Sequence, residues 1–216
     1  MSLSRWFKES PIIRVVAGFA LAALVLAAFG WLVTGPYKNL VAGFDSNIRY
    51  AMRQIHSPMW TSLLLTVTNL GSTLYLIVVG SAAGIAFLAL RWFRSFFLFV
   101  IAMAGQAALH HGSKWLIARP RPPALMNYRA VESFSFPSGH AIGAICLYGM
   151  IAWIVTAQLE NPAAKAGIWI FTLILVFLIG MSRAYIGIHH ATDVFAGFVA
   201  GFIWIAAVMS VDRRPL

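Results

Sequence analysis

A single cysteine, Cys146, only six acidic residues and a charged fraction of 10% leave this 216-residue chain without what several protein classes require. One thiol excludes an intrachain disulfide framework and a cysteine metal site. Soluble domains carry about 25% charged and about 45–50% apolar residues. Here 61% of residues are hydrophobic and the mean hydropathy is +0.82. So little polar surface excludes a soluble globular domain, a disordered chain and a fibre. No internal repeat or low-complexity tract is present. At roughly 100–200 residues per domain, the length suits a single membrane domain over residues 1–216.

The shortage of acid leaves an excess of base: sixteen Lys and Arg against six Asp and Glu, a formal charge of +10. Such a surplus points to anionic partners. The basic residues stand singly between apolar runs and form no stripe or block, which speaks against nucleic acid. A lipid bilayer and an anionic headgroup substrate account for them better.

A membrane-crossing helix needs about 20 mostly apolar residues. Six segments qualify: Ile12–Val33, Thr73–Leu90, Ser95–Ala108, Gly139–Ala157, Gly167–Met181 and Asp193–Val211, the third and fifth being short unless they extend into their flanks. The expected fold is therefore all-α, a polytopic membrane helix bundle. The first run is longer than the roughly 7–15 apolar residues of a signal-peptide core and no small-residue cleavage site follows, so it reads as a retained anchor. Arg5, Lys8 and Arg14 at its start place the N-terminus inside. Alternation then puts Arg91, Arg94, Lys165, Arg213 and Arg214 on the same side, eight basic residues in all, against eight outside: Lys38, Arg49, Arg53, Lys114, Arg119, Arg121, Arg129 and Arg183. Charge bias alone does not choose between the orientations, and the basic outer face needs its own explanation.

Between the first two spans, Val41, Phe44, Ile48, Met52, Ile55 and Met59 recur at three- and four-residue spacing with polar residues between them, the pattern of an amphipathic helix lying in the interface or packed on the bundle. Residues 12–72 thus hold the first span and this interfacial segment, and 73–216 the other five spans. Ser57-Pro58 marks a helix start and Gly71-Ser72 a break. Trp6, Trp31, Trp92, Trp115 and Trp169 fall near span ends, as interfacial anchors do. His56 is assigned to the surface of the interfacial helix, and His110 and His111 to the polar end of the third span.

Three polar clusters lie at the end of span three, the start of span four and the junction of spans five and six, all on one membrane face opposite both termini. In KWLIARPRP, Lys114 and Arg121 are seven apart, with Pro120 and Pro122 making a bent basic arm rather than a helix face. In PSGH, Ser138 reads as the N-cap of span four, Gly139 allows close backbone approach and His140 projects from the first turn. A helix N-terminus of this kind suits an anion. In SRAYIGIHHATD, His189 and Asp193 stand at i and i+4, on one face if the segment is helical. That spacing lets a carboxylate take one ring N–H and leave the other nitrogen free as a nucleophile or base. Gly197 and Gly201 continue the same face as a GxxxG packing surface. Three cations (Lys114, Arg121, Arg183), a helix N-terminus and two histidines suit phosphoryl transfer. Carboxylates are too few for a two-metal site, and no metal or other cofactor is called for.

These residues resemble the type 2 phosphatidic acid phosphatase (PAP2) family, whose site is shared with vanadium haloperoxidases. Its pattern K-x6-R-P, P-S-G-H and S-R-x5-H-x3-D reads here as Lys114 with Arg121-Pro122, then Pro137-Ser138-Gly139-His140, then Ser182-Arg183 with His189 and Asp193, without departure. The resemblance covers the chain from span three onward. It implies that His189 attacks phosphorus to give a phosphohistidine, with Asp193 orienting it and His140 protonating the leaving group. Lys114, Arg121, Ser138, the Gly139 N–H and Arg183 would hold the phosphate, without a metal. It further implies a lipid phosphate or isoprenoid diphosphate substrate, with undecaprenyl diphosphate placed ahead of phosphatidylglycerophosphate and phosphatidic acid. The expected location is a bacterial inner membrane, with cytoplasmic termini and an extracytoplasmic site. A non-enzymatic lipid-phosphate binder or flippase, or a haloperoxidase, remains open on sequence. Setting Lys114, Arg121 and Arg183 aside as a phosphate clamp leaves five basic residues outside against eight inside, the bias expected of this topology.

Overall fold

The structure is a computed structural model that describes residues 10–123 and 133–212. Arg5, Trp6, Lys8, Arg129, Arg213 and Arg214 lie outside the described residues. Within them the chain is all-helical: α1 (Pro11–Thr34), α2 (Lys38–Gln54), α3 (Pro58–Asn69), α4 (Thr73–Ala89), α5 (Phe93–Ile117), α6 (Gly139–Thr156), α7 (Pro162–Ile186) and α8 (Ala191–Met209).

Local chemistry sets the boundaries. Prolines occupy the first helical position of α1, α3 and α7, where the missing N–H costs nothing. Ser57 Oγ accepts from Trp60 N at 3.3 Å, Ser72 Oγ from Tyr75 N at 3.4 Å, and Asn161 Oδ1 from Ala163 N at 2.9 Å, each satisfying a donor that the first turn leaves free. Gly187, at φ 79°, ends α7 in the left-handed region open to glycine.

Five helices, α1, α5, α6, α7 and α8, are long and apolar enough to cross a bilayer. The sixth candidate crossing has a break beside it. The expected span Thr73–Leu90 is α4, and with α3 it forms a pair bent by 52° at Leu70–Ser72 that is, taken together, long and apolar enough for a sixth crossing. The third and fifth spans do extend into their flanks, as α5 and α7. The amphipathic segment divides, with Met59 belonging to α3 and the rest of the pattern to α2 and its C-cap.

Helix α6 is the centre of the bundle and packs against α4, α5, α7 and α8, while α1 covers α8. Ile142, Leu147, Met150, Ala200 and Val208 are fully buried there. Leu24, Leu116, Phe171 and Phe202 point outward, as expected of a surface whose solvent is lipid, because internal helical hydrogen bonds leave only side chains to meet the hydrocarbon. Gly201 sets the α6–α8 separation: a Cβ there would stand 2.2 Å from Ile145 Cγ2, so the GxxxG face does pack helix on helix.

At one end of the bundle Arg14 donates to Ser210 O, and Arg94 pairs with Asp212 at 3.4 Å. The three polar clusters occupy the other end.

Candidate active site

Four helix ends converge there. Lys114 lies in the last turn of α5. Ala118, at φ 45°, then turns the chain off the helix so that Arg119 and Arg121 reach the N-terminus of α8. Ser138 is the N-cap of α6, as the sequence suggests, but its hydroxyl does not cap: Oγ is buried and has no hydrogen-bond partner among the described residues. Arg183 stands in the last turn of α7, where Nη1 donates to Thr68 Oγ1 at 2.8 Å. Lys114, Arg121, Gly139, His140, Arg183 and His189 all line one cavity of about 1460 Å³. Its remaining wall is largely apolar and follows α4 and α5 from Gly71 and Leu76 to Leu88 and Phe96.

His189 and Asp193 meet, though by a different route from the one the sequence suggests. His189 precedes α8, in the turn that follows Gly187, so the two do not share a helical face. The turn brings Nδ1 to 3.7 Å from Asp193 Oδ2, an ion-pair separation longer than a hydrogen bond. On the other side of the ring, Arg121 Nη1 lies 3.0 Å from Nε2. A guanidinium can only donate, so Nε2 is the acceptor and a neutral ring carries its proton on Nδ1, facing the carboxylate. Burial, reinforced by Arg121 and Arg183 and opposed by Asp193, pushes His189 down to about 4. The ring is therefore neutral near pH 7, with an unprotonated Nε2 at the cavity wall.

Arg121 is held in place by three hydrogen bonds to two residues. Nε donates to Ser133 O at 2.7 Å, Nη2 to Ser133 Oγ at 2.9 Å and Nη1 to Ile188 O at 2.8 Å. Asp193 is 0% exposed. Its Oδ2 accepts from His190 N at 3.0 Å, and its backbone carbonyl accepts from Ser138 N at 3.1 Å, tying the start of α8 to the cap of α6.

All eight residues singled out in the sequence thus gather at one end of the bundle. Four others went unrecognised there. Arg119, 6% exposed, donates from Nη1 to Asp193 Oδ1 at 2.6 Å and from Nη2 to Asp45 Oδ2 at 2.8 Å. Asp45, 4% exposed, comes from α2, where the sequence offered no chemistry, and also accepts from Thr192 N at 3.0 Å and Thr192 Oγ1 at 2.8 Å. His110 faces the cavity beside Gly139 rather than the membrane interface. His56 is not on a helix surface: its ring packs on Tyr185 with centroids 4.3 Å apart, and Nε2 lies 3.1 Å from Tyr185 O. The available signal for Asp45 was its sign, the one acid in α2 beside Lys38, Arg49 and Arg53.

A family model described as the PAP2 superfamily matches residues 95–215. The chain is 30% identical over 186 residues to phosphatidylglycerophosphatase B of Bacillus subtilis, a match spanning 85% of this chain and 90% of that protein. It is 32% identical over 113 residues to an undecaprenyl-diphosphatase of Sulfolobus acidocaldarius, spanning 50% of this chain and 48% of the relative. The crystal structure of a transmembrane PAP2 type phosphatidylglycerolphosphate phosphatase from Bacillus subtilis superposes with a TM-score of 0.75 at 28% identity, covering 90% of this chain and 94% of that one.

Proposed function

The chain belongs to the PAP2 superfamily and is an integral membrane phosphatase of that type, and we propose that it hydrolyses a lipid phosphate monoester or isoprenoid diphosphate through a phosphohistidine at His189. The observation that carries this reading is the placement of an unprotonated His189 Nε2 at the cationic end of a cavity whose long wall is apolar. Phosphate would sit among Lys114, Arg121, Arg183, Ser138 and the Gly139 N–H, with the lipid tail along α4 and α5.

In the first step the Nε2 lone pair forms the bond to phosphorus and the phosphorus–oxygen bond to the lipid breaks. His140 gives its proton to the departing oxygen. Arg121 moves its N–H from Nε2 to a phosphoryl oxygen, releasing the nucleophile as substrate arrives. The imidazole becomes cationic on phosphorylation, and Asp193 opposite Nδ1 offsets that charge. Water then attacks phosphorus, the phosphorus–nitrogen bond breaks, and His140 accepts the water proton. The groups that meet phosphate are cations and N–H donors, and none of these steps requires a metal.

The relative matched over most of its length carries the name phosphatidylglycerophosphatase, which makes phosphatidylglycerophosphate the first substrate to test, ahead of undecaprenyl diphosphate and phosphatidic acid. For topology, we place the termini in the bacterial cytoplasm and the site on the extracytoplasmic face. Six crossings would leave both termini on one side of the membrane and the site on the other; the Arg14 contact with Ser210 O, which joins the start of α1 to the end of α8, supports this, and the basic residues outside the phosphate clamp favour that orientation.

The test is phosphate release from this lipid panel in detergent with EDTA present, wild type beside His189→Ala. Release by wild type alone supports the reading. Equal release by both overturns the nucleophile, and lipid binding without release overturns the enzyme in favour of a binder.

A further inference from the structure

Behind His189 the structure stacks three ionic side chains with almost no access to solvent. Asp193 faces Nδ1 of the histidine, Arg119 bridges, and Asp45 follows from α2. The His190 ring lies beyond it, Nδ1 3.7 Å from Asp45 Oδ2, and burial and Arg119 hold that ring below its ordinary value, toward the neutral form. Buried charges persist only when paired and hydrogen-bonded, and here the pairing is complete: Arg119 Nη1 holds Asp193 Oδ1 and Nη2 holds Asp45 Oδ2. The division of oxygens matters, because Arg119 takes Oδ1 and leaves Oδ2 for the histidine.

The count of charges matters more. Arg119 with Asp193 alone would be neutral, and the guanidinium would cancel much of the field that Asp193 exerts at His189. A second carboxylate on the far side of the same guanidinium returns the row to one net negative charge. Attack on phosphorus turns a neutral ring into a cation, so a net negative row behind it favours the transition state over the ground state. Resting on the phosphohistidine reading above, we propose that Asp45 and Arg119 are positioning residues for the nucleophile, a counter-ion pair that clamps Asp193 while leaving its charge available to His189.

Asp45 also caps α8 from another helix through Thr192 N and Thr192 Oγ1, so a purely structural role would rest on that cap and on the ion pair with Arg119. Asp45→Asn keeps an amide oxygen for the cap at Thr192 N while removing the charge and the acceptor that Arg119 Nη2 uses, so the KM-against-kcat split and the double variant below carry the distinction. The expected result is a fall in kcat of about tenfold, less than the loss of a group that touches phosphate because Asp45 acts through Arg119 and Asp193, with KM little changed and vanadate inhibition weakened by a similar factor. Arg119→Gln removes the clamp on both carboxylates, and their mutual repulsion would displace Asp193 from His189, so kcat should fall further although the row gains negative charge. The double variant Asp45→Asn/Arg119→Gln restores one net negative charge and should turn over faster than Arg119→Gln. Such recovery is a sign of charge balance that loss of packing does not produce.

Wild-type kcat in Asp45→Asn, or a double variant no better than Arg119→Gln, overturns the proposal. So does failure of both Asp45→Asn and the double variant to insert, which would make the pair purely structural. His189→Ala, assayed alongside, separates the two readings: if it retains turnover the phosphohistidine itself is wrong, whereas an inactive His189→Ala beside an unaffected Asp45→Asn defeats only this inference.

Discussion

Gly139 and His110 touch so closely that a Cβ on the glycine would stand 2.8 Å from Cε1 and 2.9 Å from Nε2 of the imidazole. The glycine of the P-S-G-H segment is therefore needed for space: α6 begins against a ring presented by α5. Gly139→Ala must push that ring or the first turn of α6, and with it the Gly139 N–H. Because misplacement by an ångström near the reacting atoms costs up to about 100-fold, we expect kcat/KM to fall by about 10- to 100-fold while the melting temperature in detergent changes little. Unchanged kcat/KM would mean that the N–H does not contact phosphate.

His140 has its own signature. If it protonates the leaving oxygen, His140→Ala should slow hydrolysis of an alkyl phosphate by about 10²–10⁴-fold and hydrolysis of p-nitrophenyl phosphate far less, since that leaving group departs without a proton. Equal losses on both substrates would assign His140 to phosphate binding instead.

The position of His189, pushed down to about 4 by burial, makes a signed statement about pH. Its unfolded value is near 6.5, so between about pH 4 and 6.5 the unfolded chain binds the proton and the folded chain does not. Stability therefore rises with pH across that window and is lost on acidification, by about 3 kcal/mol from this group once pH is below 4. Histidine nitrogen NMR, with His189→Asn to assign the signal, should show His189 titrating well below 6.5. A midpoint at or above 6.5 would remove the burial argument.

Gly201 tests the helix contact that carries the site. Its missing Cβ would clash with Ile145 Cγ2 at 2.2 Å, and overpacking of this kind costs about 1–3 kcal/mol. Gly201→Val should lower thermal stability in detergent and reduce activity through displacement of α8. A variant as stable as wild type would show that α6 and α8 can separate freely.

The sequence carried the bundle and the eight motif residues because both depend on local signals. Apolar run length reports a crossing, and fixed spacing within KWLIARPRP, PSGH and SRAYIGIHHATD reports the site. What stayed hidden depends on contacts between distant segments. Asp45 and Arg119 are 74 positions apart, and nothing near either residue reveals the other. The i, i+4 spacing of His189 and Asp193 implies a shared face only if the segment is helical, and it is not: Gly187 ends α7 and the histidine sits in the turn before α8 begins, which still brings the pair together. The bend between α3 and α4 was legible as Gly71-Ser72, but not its angle, since Tyr148, whose hydroxyl donates to Leu70 O at 2.8 Å, belongs to α6.

The bend has a consequence for how the chain can be recombined with its relatives. The region matched by the family model starts at residue 95, yet Thr68, which receives Arg183, and Gly71, whose missing Cβ leaves room for His140 at 3.0 Å, stand at the bend, with Asp45 further upstream. A chimera joining this C-terminal half to the first half of a relative would inherit every motif residue, while the surfaces at these three positions would come from the other parent. In this chain the signature thus leans on three positions outside it.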